Sequence, residues 1–387
     1  MFWRSKLNIA LAVLPIILLW PLFYAASWRP HAINGADHNP TQIEGLAAAI
    51  TYGPDGTLIC SPLNGTLQRY LPSERRWNNF NTPTLSLVSD SSAERATPRL
   101  LFSGDGKTVF TPASLRILQT AQAWPRVIQA FDVASREPLY SFGNPVNDVF
   151  DISRDGQRAA YADSKGLVIL DLNSIPRTRE NQTKALPKAL TGVKSFRDYP
   201  SRRFAIKGTV RALAFSPDSR VLAVGFNDQI ALFDMDNDST AARLQVPLNQ
   251  QQQHNYAYNS PTTVKSPVWL EWSPDGSKLA SYGASELAVF NATLTKIAHS
   301  TIDTNYIMGG SQNRLIANIV WTKTGDTLLT GGSKASRWRL EEGNQILQLE
   351  ATYNSSGAVA LSPDQKYMVS TRMDSQNTYS VWQCRIR

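Results

Sequence analysis

Cysteine and histidine are scarce in this sequence of 387 residues. It contains two cysteines, Cys60 and Cys384, which lie near opposite ends of the chain, and four histidines. This count excludes a disulfide framework and a zinc site made of cysteine alone, and it argues against a histidine-rich metal site. We therefore expect no metal and no cofactor. Whether Cys60 and Cys384 are bonded to each other stays open at this point.

Linear catalytic motifs are also missing. The sequence has no zincin His-Glu pair, no Gly-x-Ser-x-Gly elbow, no phosphate-binding glycine-rich loop and no Cys-x-x-Cys. We therefore expect a protein that is not an enzyme. An active site assembled from separate loops needs no linear motif, so an enzyme is kept as an alternative.

The composition is that of a folded protein with a large core. Hydrophobic residues make up 42% of the chain and charged residues 18%, as in ordinary globular domains. The formal net charge is +8. This excess favours an acidic partner or an anionic surface, although solubility alone would also explain it.

The start of the chain predicts a membrane anchor followed by a tether. Residues 1–6 are short and basic, and residues 7–27 contain no charged side chain. A helix of this length crosses about 30 Å of hydrocarbon. Because the more positive flank stays in the cytoplasm, we expect a single-pass protein whose main domain is extracytoplasmic. Residues 28–45 then form the tether.

A cleaved secretory signal is the alternative to the anchor. Ala25-Ala26-Ser27 is an acceptable cleavage site, but the apolar run is longer than the roughly 7–15 residues of a signal h-region. In the anchor reading the lipid bilayer is a partner of residues 7–27. Both readings send the main domain across the membrane, so no nucleic-acid partner is expected.

One turn recurs seven times between hydrophobic runs, with starts 40 to 63 residues apart. The copies are Gly53-Pro54-Asp55-Gly56, Ser103-Gly104-Asp105-Gly106, Ser153-Arg154-Asp155-Gly156, Ser216-Pro217-Asp218-Ser219, Ser273-Pro274-Asp275-Gly276, Thr322-Lys323-Thr324-Gly325 and Ser362-Pro363-Asp364-Gln365. The short stretch around each turn cannot bury its own faces, so the copies must pack on one another.

Six of the turns contain an aspartate, one for each copy. Because these aspartates fall in separate turns, we assign them a turn-forming role and no metal. They are Asp55, Asp105, Asp155, Asp218, Asp275 and Asp364.

The third strand of most copies ends on a similar pair of residues. The endings are Phe131-Asp132, Leu170-Asp171, Phe233-Asp234, Phe290-Asn291, Trp338-Arg339 and Trp382-Gln383. With these turns and endings, the chain from about Gln42 to Arg387 resembles the WD-repeat family of β-propellers, in a divergent form built on Ser-Pro-Asp-Gly repeats. It lacks the family's Gly-His pair. The resemblance implies an all-β fold, a seven-bladed β-propeller over residues 46–387.

The last copy leaves no residues for a fourth strand after Ser380 to Ile386. We expect the tether, at about His31 to Glu44, to supply that strand and to close the ring, because closure removes an open sheet edge.

The longest insertion, residues 177–207, carries nine basic and two acidic residues, a net charge of +7. This charge favours docking of an acidic protein, anionic lipid headgroups or a polyanionic glycan, and a solvated loop is the alternative. Three tyrosines in two other insertions complete the candidate partner-binding set. The set is Arg177, Arg179, Lys184, Lys188, Lys194, Arg197, Arg202, Arg203, Lys207, Tyr256, Tyr258 and Tyr306.

Three functions are compatible with these features. The first is a membrane-tethered, non-enzymatic scaffold or assembly subunit that binds a protein partner. The second is an extracytoplasmic hydrolase or lyase with a site at the central channel, which would show carboxylates, histidines or a metal at one mouth. The third is an exported, soluble ligand-binding propeller.

Overall fold

The computed structural model describes most of residues 41–386. The gaps are residues 47–48, 62–65, 72–75, 82–84, 87–98, 116–125, 144, 146–148, 176–198, 228, 238, 246–266, 284–285, 302–315, 333–334, 342, 344–345, 354–356 and 374–378. The chain divides into two compact units, Met1–Ala36 and Asp37–Arg387, and every described residue belongs to the second. The predicted anchor, residues 7–27, lies outside the described residues. Within them, no helix is both long enough and apolar enough to span a bilayer.

The described residues form β-strands that fall into seven antiparallel sets in chain order. The first strand, β1 (Thr41–Leu46), precedes set 1. Set 1 holds β2 (Ala49–Tyr52), β3 (Leu58–Ser61), β4 (Gln68–Leu71) and β5 (Arg76–Asn79), and set 2 holds β6 (Leu85–Ser86), β7 (Leu101–Phe102), β8 (Thr108–Leu115), β9 (Arg126–Asp132) and β10 (Pro138–Phe142). Set 3 holds β11 (Phe150–Ile152), β12 (Arg158–Asp163), β13 (Gly166–Asp171) and β14 (Ser201–Phe204). A short 3-10 helix, Leu172–Ser174, follows β13.

Sets 4 to 7 continue the pattern. Set 4 holds β15 (Val210–Phe215), β16 (Val221–Phe226), β17 (Gln229–Asp234) and β18 (Ser239–Gln245), and set 5 holds β19 (Pro267–Trp272), β20 (Lys278–Gly283), β21 (Glu286–Asn291) and β22 (Lys296–Thr301). Set 6 holds β23 (Ile316–Trp321), β24 (Thr327–Gly332), β25 (Ala335–Glu341) and β26 (Ile346–Tyr353). Set 7 holds β27 (Val359–Leu361), β28 (Tyr367–Met373) and β29 (Tyr379–Arg385). Consecutive strands pair within each set, except that in set 2 both β6 and β7 pair with β8. One parallel pair, His299 with Ile346, joins the outer strands of sets 5 and 6.

The fourth strand of set 7 comes from the other end of the described chain. Thr41, Gln42 and Ile43 of β1 pair antiparallel with Gln383, Trp382 and Val381 of β29. The interval predicted to supply this strand, about His31 to Glu44, overlaps β1 in its last residues, and residues 31–40 lie outside the described part of the chain.

Each set is buried on both faces because its strands carry apolar side chains on alternate sides. In β15, Leu213 and Phe215 pack against set 3, whereas Ala212 and Ala214 pack against set 5. Burying a side chain such as Leu213 contributes about 1.5–3 kcal/mol of transfer free energy. The small alanines let the neighbouring set approach closely.

Neighbouring sets pack around a closed ring. Hydrophobic clusters join set 1 to set 2, set 2 to set 3, set 3 to set 4, set 4 to set 5, and set 5 to set 6. Another cluster joins set 7 back to set 1, with Val381 and Val369 against Ile50 and Leu58. Sets 6 and 7 meet through a backbone bridge between Gly332 and Gly357. This arrangement is an all-β propeller, as the repeats predicted.

Candidate functional site

The first strand of each set, or β6 and β7 together in set 2, lies at the inner edge of its sheet, with one side of its backbone unpaired by a sheet neighbour. Aligning the sets on the recurring turn shows which inner residues are equivalent. Three residues before the end of the inner strand, most sets carry alanine or valine, as at Ala49, Val149 and Ala212. Sets 2, 5 and 6 instead carry Arg99, Trp269 and Asn318 at this position. Sets 2, 5 and 6 therefore place a larger or more polar side chain at the inner edge of the ring than the other sets do.

Arg99 connects the inner edges of three consecutive sets. Its Nη1 atom donates to the carbonyl oxygens of Leu213 at 2.8 Å and Phe150 at 3.5 Å, and its Nη2 atom donates to Leu270 at 3.2 Å. These acceptors occupy equivalent positions in sets 3, 4 and 5. The guanidinium also lies 4.1 Å from the ring centre of Trp269, within cation–π range. One side chain thus satisfies backbone carbonyls that have no sheet partner.

Two carboxyl groups accompany Arg99. An oxygen of Asp151, on β11, lies 3.8 Å from Arg99, and the two side chains are 12% and 10% exposed. The other Asp151 oxygen accepts a hydrogen bond from the Phe215 amide at 2.6 Å. Burial raises the pKa of Asp151 to about 6, against the lowering effects of Arg99 and of the Phe215 and Ile152 amides. This carboxyl therefore links sets 3 and 4 as well as pairing with Arg99.

Glu271, on β19, is the second carboxyl. Burial of its carboxyl group raises its pKa to about 7, Arg99 opposes that rise, and Asp151 adds to it. The indole N–H of Trp269 also lowers the pKa of Glu271, although it makes no hydrogen bond of normal geometry. We call Arg99, Asp151, Glu271 and Trp269 the axial cluster.

Further side chains join inner strands across the remaining seams. Asn318 of set 6 donates to the carbonyl of Val359 at 2.7 Å and accepts from its amide at 2.9 Å. The indoles of Trp272 and Trp321 donate to the carbonyls of Ala214 and Glu271, each at 3.0 Å. The inner edge is thus connected by bonds from side chain to backbone across sets 2 to 7.

Sequence reasoning missed the axial cluster. No linear motif marks it, because Arg99 reaches acceptors 51, 114 and 171 residues away. A usable signal was present in the repeats themselves. When the turns are aligned, Arg99, Asp151 and Glu271 place charge at positions where the other sets carry uncharged, mostly apolar residues.

The recurring aspartates lie in tight turns that they help to build. In five turns the Ser hydroxyl that opens the turn donates to the aspartate two residues later, at 2.5–2.6 Å. The same hydroxyl oxygen accepts the amide five residues on, for example Val221 to Ser216 at 2.9 Å. The Ser273 and Ser277 bonds lower the pKa of Asp275 to about 2. In set 1, the hydroxyl of Thr57 donates a hydrogen bond to the carboxylate of Asp55 instead.

The basic insertion is described only in its last part. Arg202 and Arg203 are neighbours on β14, so they point to opposite faces of the sheet. Arg202 donates to the carbonyl of Met235 at 2.9 Å, and Arg203 pairs with Asp163 at 2.5 Å. Lys207 is exposed beyond the strand. The described residues therefore do not gather these three side chains on one surface.

The other candidate partner-binding residues lie outside the described residues. They are Arg177, Arg179, Lys184, Lys188, Lys194, Arg197, Tyr256, Tyr258 and Tyr306.

A cavity of about 540 Å³ opens beside the turns of sets 4 and 5. Pro217 and Asp218 line one side, Pro274 and Asp275 the other, and the buried Trp272 ring contributes to its wall. In the part of the chain that the structure describes, no three His, Cys, Asp or Glu side chains are grouped closely enough to hold a metal ion. Cys60 and Cys384 are both buried and are not joined by a disulfide.

Comparison with known proteins identifies the fold. A family model described as "WD domain, G-beta repeat" matches residues 200–234, which span β14 to β17. A chain of a mitotic checkpoint complex shares 12% identity with a TM-score of 0.60, covering 91% of this chain and 93% of its own. U3-55K shares 12% identity with a TM-score of 0.60, covering 91% and 100%.

A third solved structure agrees with these two. The β-propeller domain of Cps50 (Swd1) from Myceliophteria thermophila shares 9% identity with a TM-score of 0.58, covering 90% of this chain and 99% of its own. No curated protein matches the sequence significantly. The chain is therefore a β-propeller that contains a segment matching the WD repeat.

Proposed function

We propose that this protein is a membrane-tethered, seven-bladed propeller that acts as a non-enzymatic scaffold or assembly subunit. Each of the seven strand sets is one blade in this proposal. Support for the scaffold role comes from the inner edge of the ring, where Arg99 joins blades 3, 4 and 5 through their backbone carbonyls. A ring held in this way offers a rigid support for loops, and rigidity limits the ordering cost of binding a partner.

Three long segments are the proposed binding elements. Residues 176–198 lie inside set 3, between β13 and β14, whereas residues 246–266 and 302–315 separate consecutive sets and precede β19 and β23. The first carries most of the +7 charge of the basic insertion. Such a charge attracts an acidic protein and speeds its association. Residues 7–27 would hold the propeller at the far side of the membrane.

Partner capture from intact membranes tests this function. The full-length protein should retain a stoichiometric protein partner, and a Lys184→Glu, Lys188→Glu, Lys194→Glu variant should lose it. The matched control reverses three basic residues on the turn face, Lys107, Lys323 and Lys366, and should retain the partner. Absence of any stoichiometric partner, or equal loss with both variants, would contradict the proposal.

An enzyme with an axial site is the second candidate function. The observation that favours it is that both Asp151 and Glu271 have raised pKa values, because raised pKa values are common among catalytic acids. Asp151 is already engaged by Arg99 and the Phe215 amide, which ranks this candidate second. Hydrolase or lyase activity of the purified protein that Glu271→Gln abolishes, with no partner captured, would reverse the ranking.

A further inference from the structure

Arg158, at the start of β12, and Arg202, on β14, both reach from set 3 to the same part of set 4. The Nη1 atom of Arg158 donates to the carbonyl oxygen of Ser219 at 3.1 Å, and the Nη2 atom of Arg202 donates to that of Met235 at 2.9 Å. The two acceptors belong to neighbouring segments, because the amide of Met235 donates to the carbonyl of Arg220 at 2.8 Å. Two guanidinium groups from different strands therefore meet at the seam between sets 3 and 4.

The carboxylate of Asp236 lies beside these arginines. Its Oδ1 atom lies 4.0 Å from Nη2 of Arg158, and its Oδ2 atom lies 3.9 Å from Nε of Arg220. Both are ion-pair distances that are longer than a hydrogen bond. Arg220 also acts on the carboxylates of Asp218 and Asp234, so its charge is largely balanced within set 4. Asp236 is thus a nearby counter-charge for set 3 that makes no hydrogen bond to Arg158.

The two arginines of set 3 lie close enough to repel each other. Burial lowers the pKa of Arg202, the charge of Arg158 lowers it further, and Asp236 opposes this with a smaller effect. The Arg158 side chain is 31% exposed, so water screens the repulsion only in part. A second carboxylate placed between the two guanidinium groups would remove this repulsion.

More positive charge is attached to set 3 at the same seam. Residues 176–198 lie between β13 and β14, and Arg202 is the second residue of β14. This segment contains six basic and two acidic residues, a net charge of +4. An acidic peptide, in which carboxylates follow one another, matches such a distribution of charge better than a single small anion does.

We propose that Arg158 and Arg202 form a carboxylate-binding site at the seam between sets 3 and 4, and that its ligand is an acidic peptide segment of the protein partner. Each guanidinium presents its N–H donors in a planar fork that matches a carboxylate. A glutamate or aspartate side chain of the partner supplies the counter-charge that Asp236 gives only at a distance. This inference rests on the proposed function, because it names where the acidic partner contacts the ring.

Binding of a fluorescein-labelled octaglutamate peptide to the full-length protein in detergent micelles tests the site. The variant Arg158→Gln, Arg202→Gln should bind the peptide about tenfold more weakly than the wild type, or weaker still, because charge-assisted hydrogen bonds are lost. Fluorescence anisotropy measures the affinity.

The matched control is Arg69→Gln, Arg136→Gln. It removes the same charge at the seam between sets 1 and 2, where Arg69 donates to the carbonyl of Val133 at 2.8 Å and Arg136 to that of Asn79 at 3.0 Å. At about 0.15 M salt, distant exposed charges are screened, so this variant should bind the peptide within about twofold of the wild type.

A variant of opposite sign covers the case in which the arginine variant does not fold. Asp236 is 55% exposed, and Asp236→Asn removes the carboxylate that competes with the peptide, so binding should become about threefold tighter. Its control is Glu137→Gln, which removes a carboxylate that accepts from Asn81 at 3.0 Å at the seam between sets 1 and 2. This control should bind within about twofold of the wild type.

Three results would overturn the proposal. The first is equal weakening by the two arginine pairs, and the second is no gain in affinity with Asp236→Asn. The third is full displacement of the peptide by inorganic phosphate at the concentration of its glutamate residues, which would indicate a site for small anions.

Failure of this site can be distinguished from failure of the scaffold function. Partner capture is judged on Lys184, Lys188 and Lys194, which are not part of the site. If the two arginine pairs act alike while the lysine variant still loses a captured partner, the site is wrong and the function stands. If the peptide results are as expected but the wild type captures no partner, the function is wrong and the carboxylate site stands.

Discussion

The Arg99 guanidinium has exchanged water for three backbone carbonyls, the Asp151 carboxylate and the face of Trp269. Arginine suits this role because its planar fork presents several donors at fixed angles and stays charged. A lysine could not reach several inner strands in the same geometry. The Arg99 side chain therefore cross-links the inner strands of the ring.

Removing the Arg99 charge should be strongly destabilising. In Arg99→Met, Asp151 is left as a buried carboxylate without its cation, and the free energy of unfolding at pH 7.5 should drop by about 3–5 kcal/mol. Part of this loss should be recovered in the double variant Arg99→Met, Asp151→Asn, because the two side chains are coupled. Guanidinium unfolding curves measure both effects.

Arg220 provides the matched control for this variant. Its side chain is 73% exposed and lies 3.9 Å from Asp236, and surface pairs of this kind contribute little. Arg220→Met should change the free energy of unfolding by about 0.5 kcal/mol or less. If Arg99→Met were no more destabilising than Arg220→Met, the bonds from Arg99 to the carbonyls of sets 3, 4 and 5 would not stabilise the fold.

At the level of strands, β1 pairs with a strand that lies far from it in the chain. It is the outer strand of set 7 although it precedes set 1 in the chain. Without it, the outer edge of β29 would expose unpaired amides and carbonyls to other chains. The same pairing links the last sheet to the start of the described chain.

Deleting Thr41–Leu46 should lower the thermal midpoint and promote aggregation, because it leaves β29 as an open edge. A deletion of equal length in the predicted tether, residues 31–36, should leave the midpoint close to that of the wild type. Thermal unfolding followed by circular dichroism, together with light scattering, measures both effects. Equal midpoints for the two deletions would contradict the role of β1 in closing the sheet.

The strands and the propeller could be predicted because their signal is local and repeated. The Ser-Pro-Asp turns fix where β15 ends and β16 begins, and short apolar runs on either side have no other way to be buried. The propeller fold is confirmed by the structure and by the similar solved structures. The sequence does not separate the outer strand β14 from the basic insertion, because Ser-Arg-Arg-Phe is short and three of its four residues are polar.

The axial cluster could not be predicted because its partners are distant in the chain. Arg99, in set 2, meets Leu213 of set 4 and Leu270 of set 5 only after sets 2 to 5 have packed together. In the sequence, charge alone marks Arg202 and Arg203 as candidate residues. Their contacts with Met235 and Asp163 depend on which face of β14 each one occupies, and strand register decides that.

For the whole molecule, the predicted anchor would determine on which side of a membrane the propeller lies. Residues 7–27 are long enough to span a bilayer, and this remains a prediction from the sequence. The full-length protein should stay in the membrane fraction after alkaline carbonate extraction, and its intact mass should include residues 1–27. A mass that begins after Ser27, together with release into the soluble fraction, would show cleavage and contradict the anchor.

The pairing of β1 with β29 also determines when set 7 can form during synthesis of the chain. Of the described strands, β1 is the first to leave the ribosome and its partner β29 is the last, and Thr41 pairs with Gln383. At about 5–20 residues per second, β1 waits roughly 20–70 s before its partner exists. Set 7 can be completed only after nearly the whole chain has emerged. Ring closure is therefore a late, non-local step, and the nascent chain carries an unsatisfied strand that other chains could capture until that step occurs.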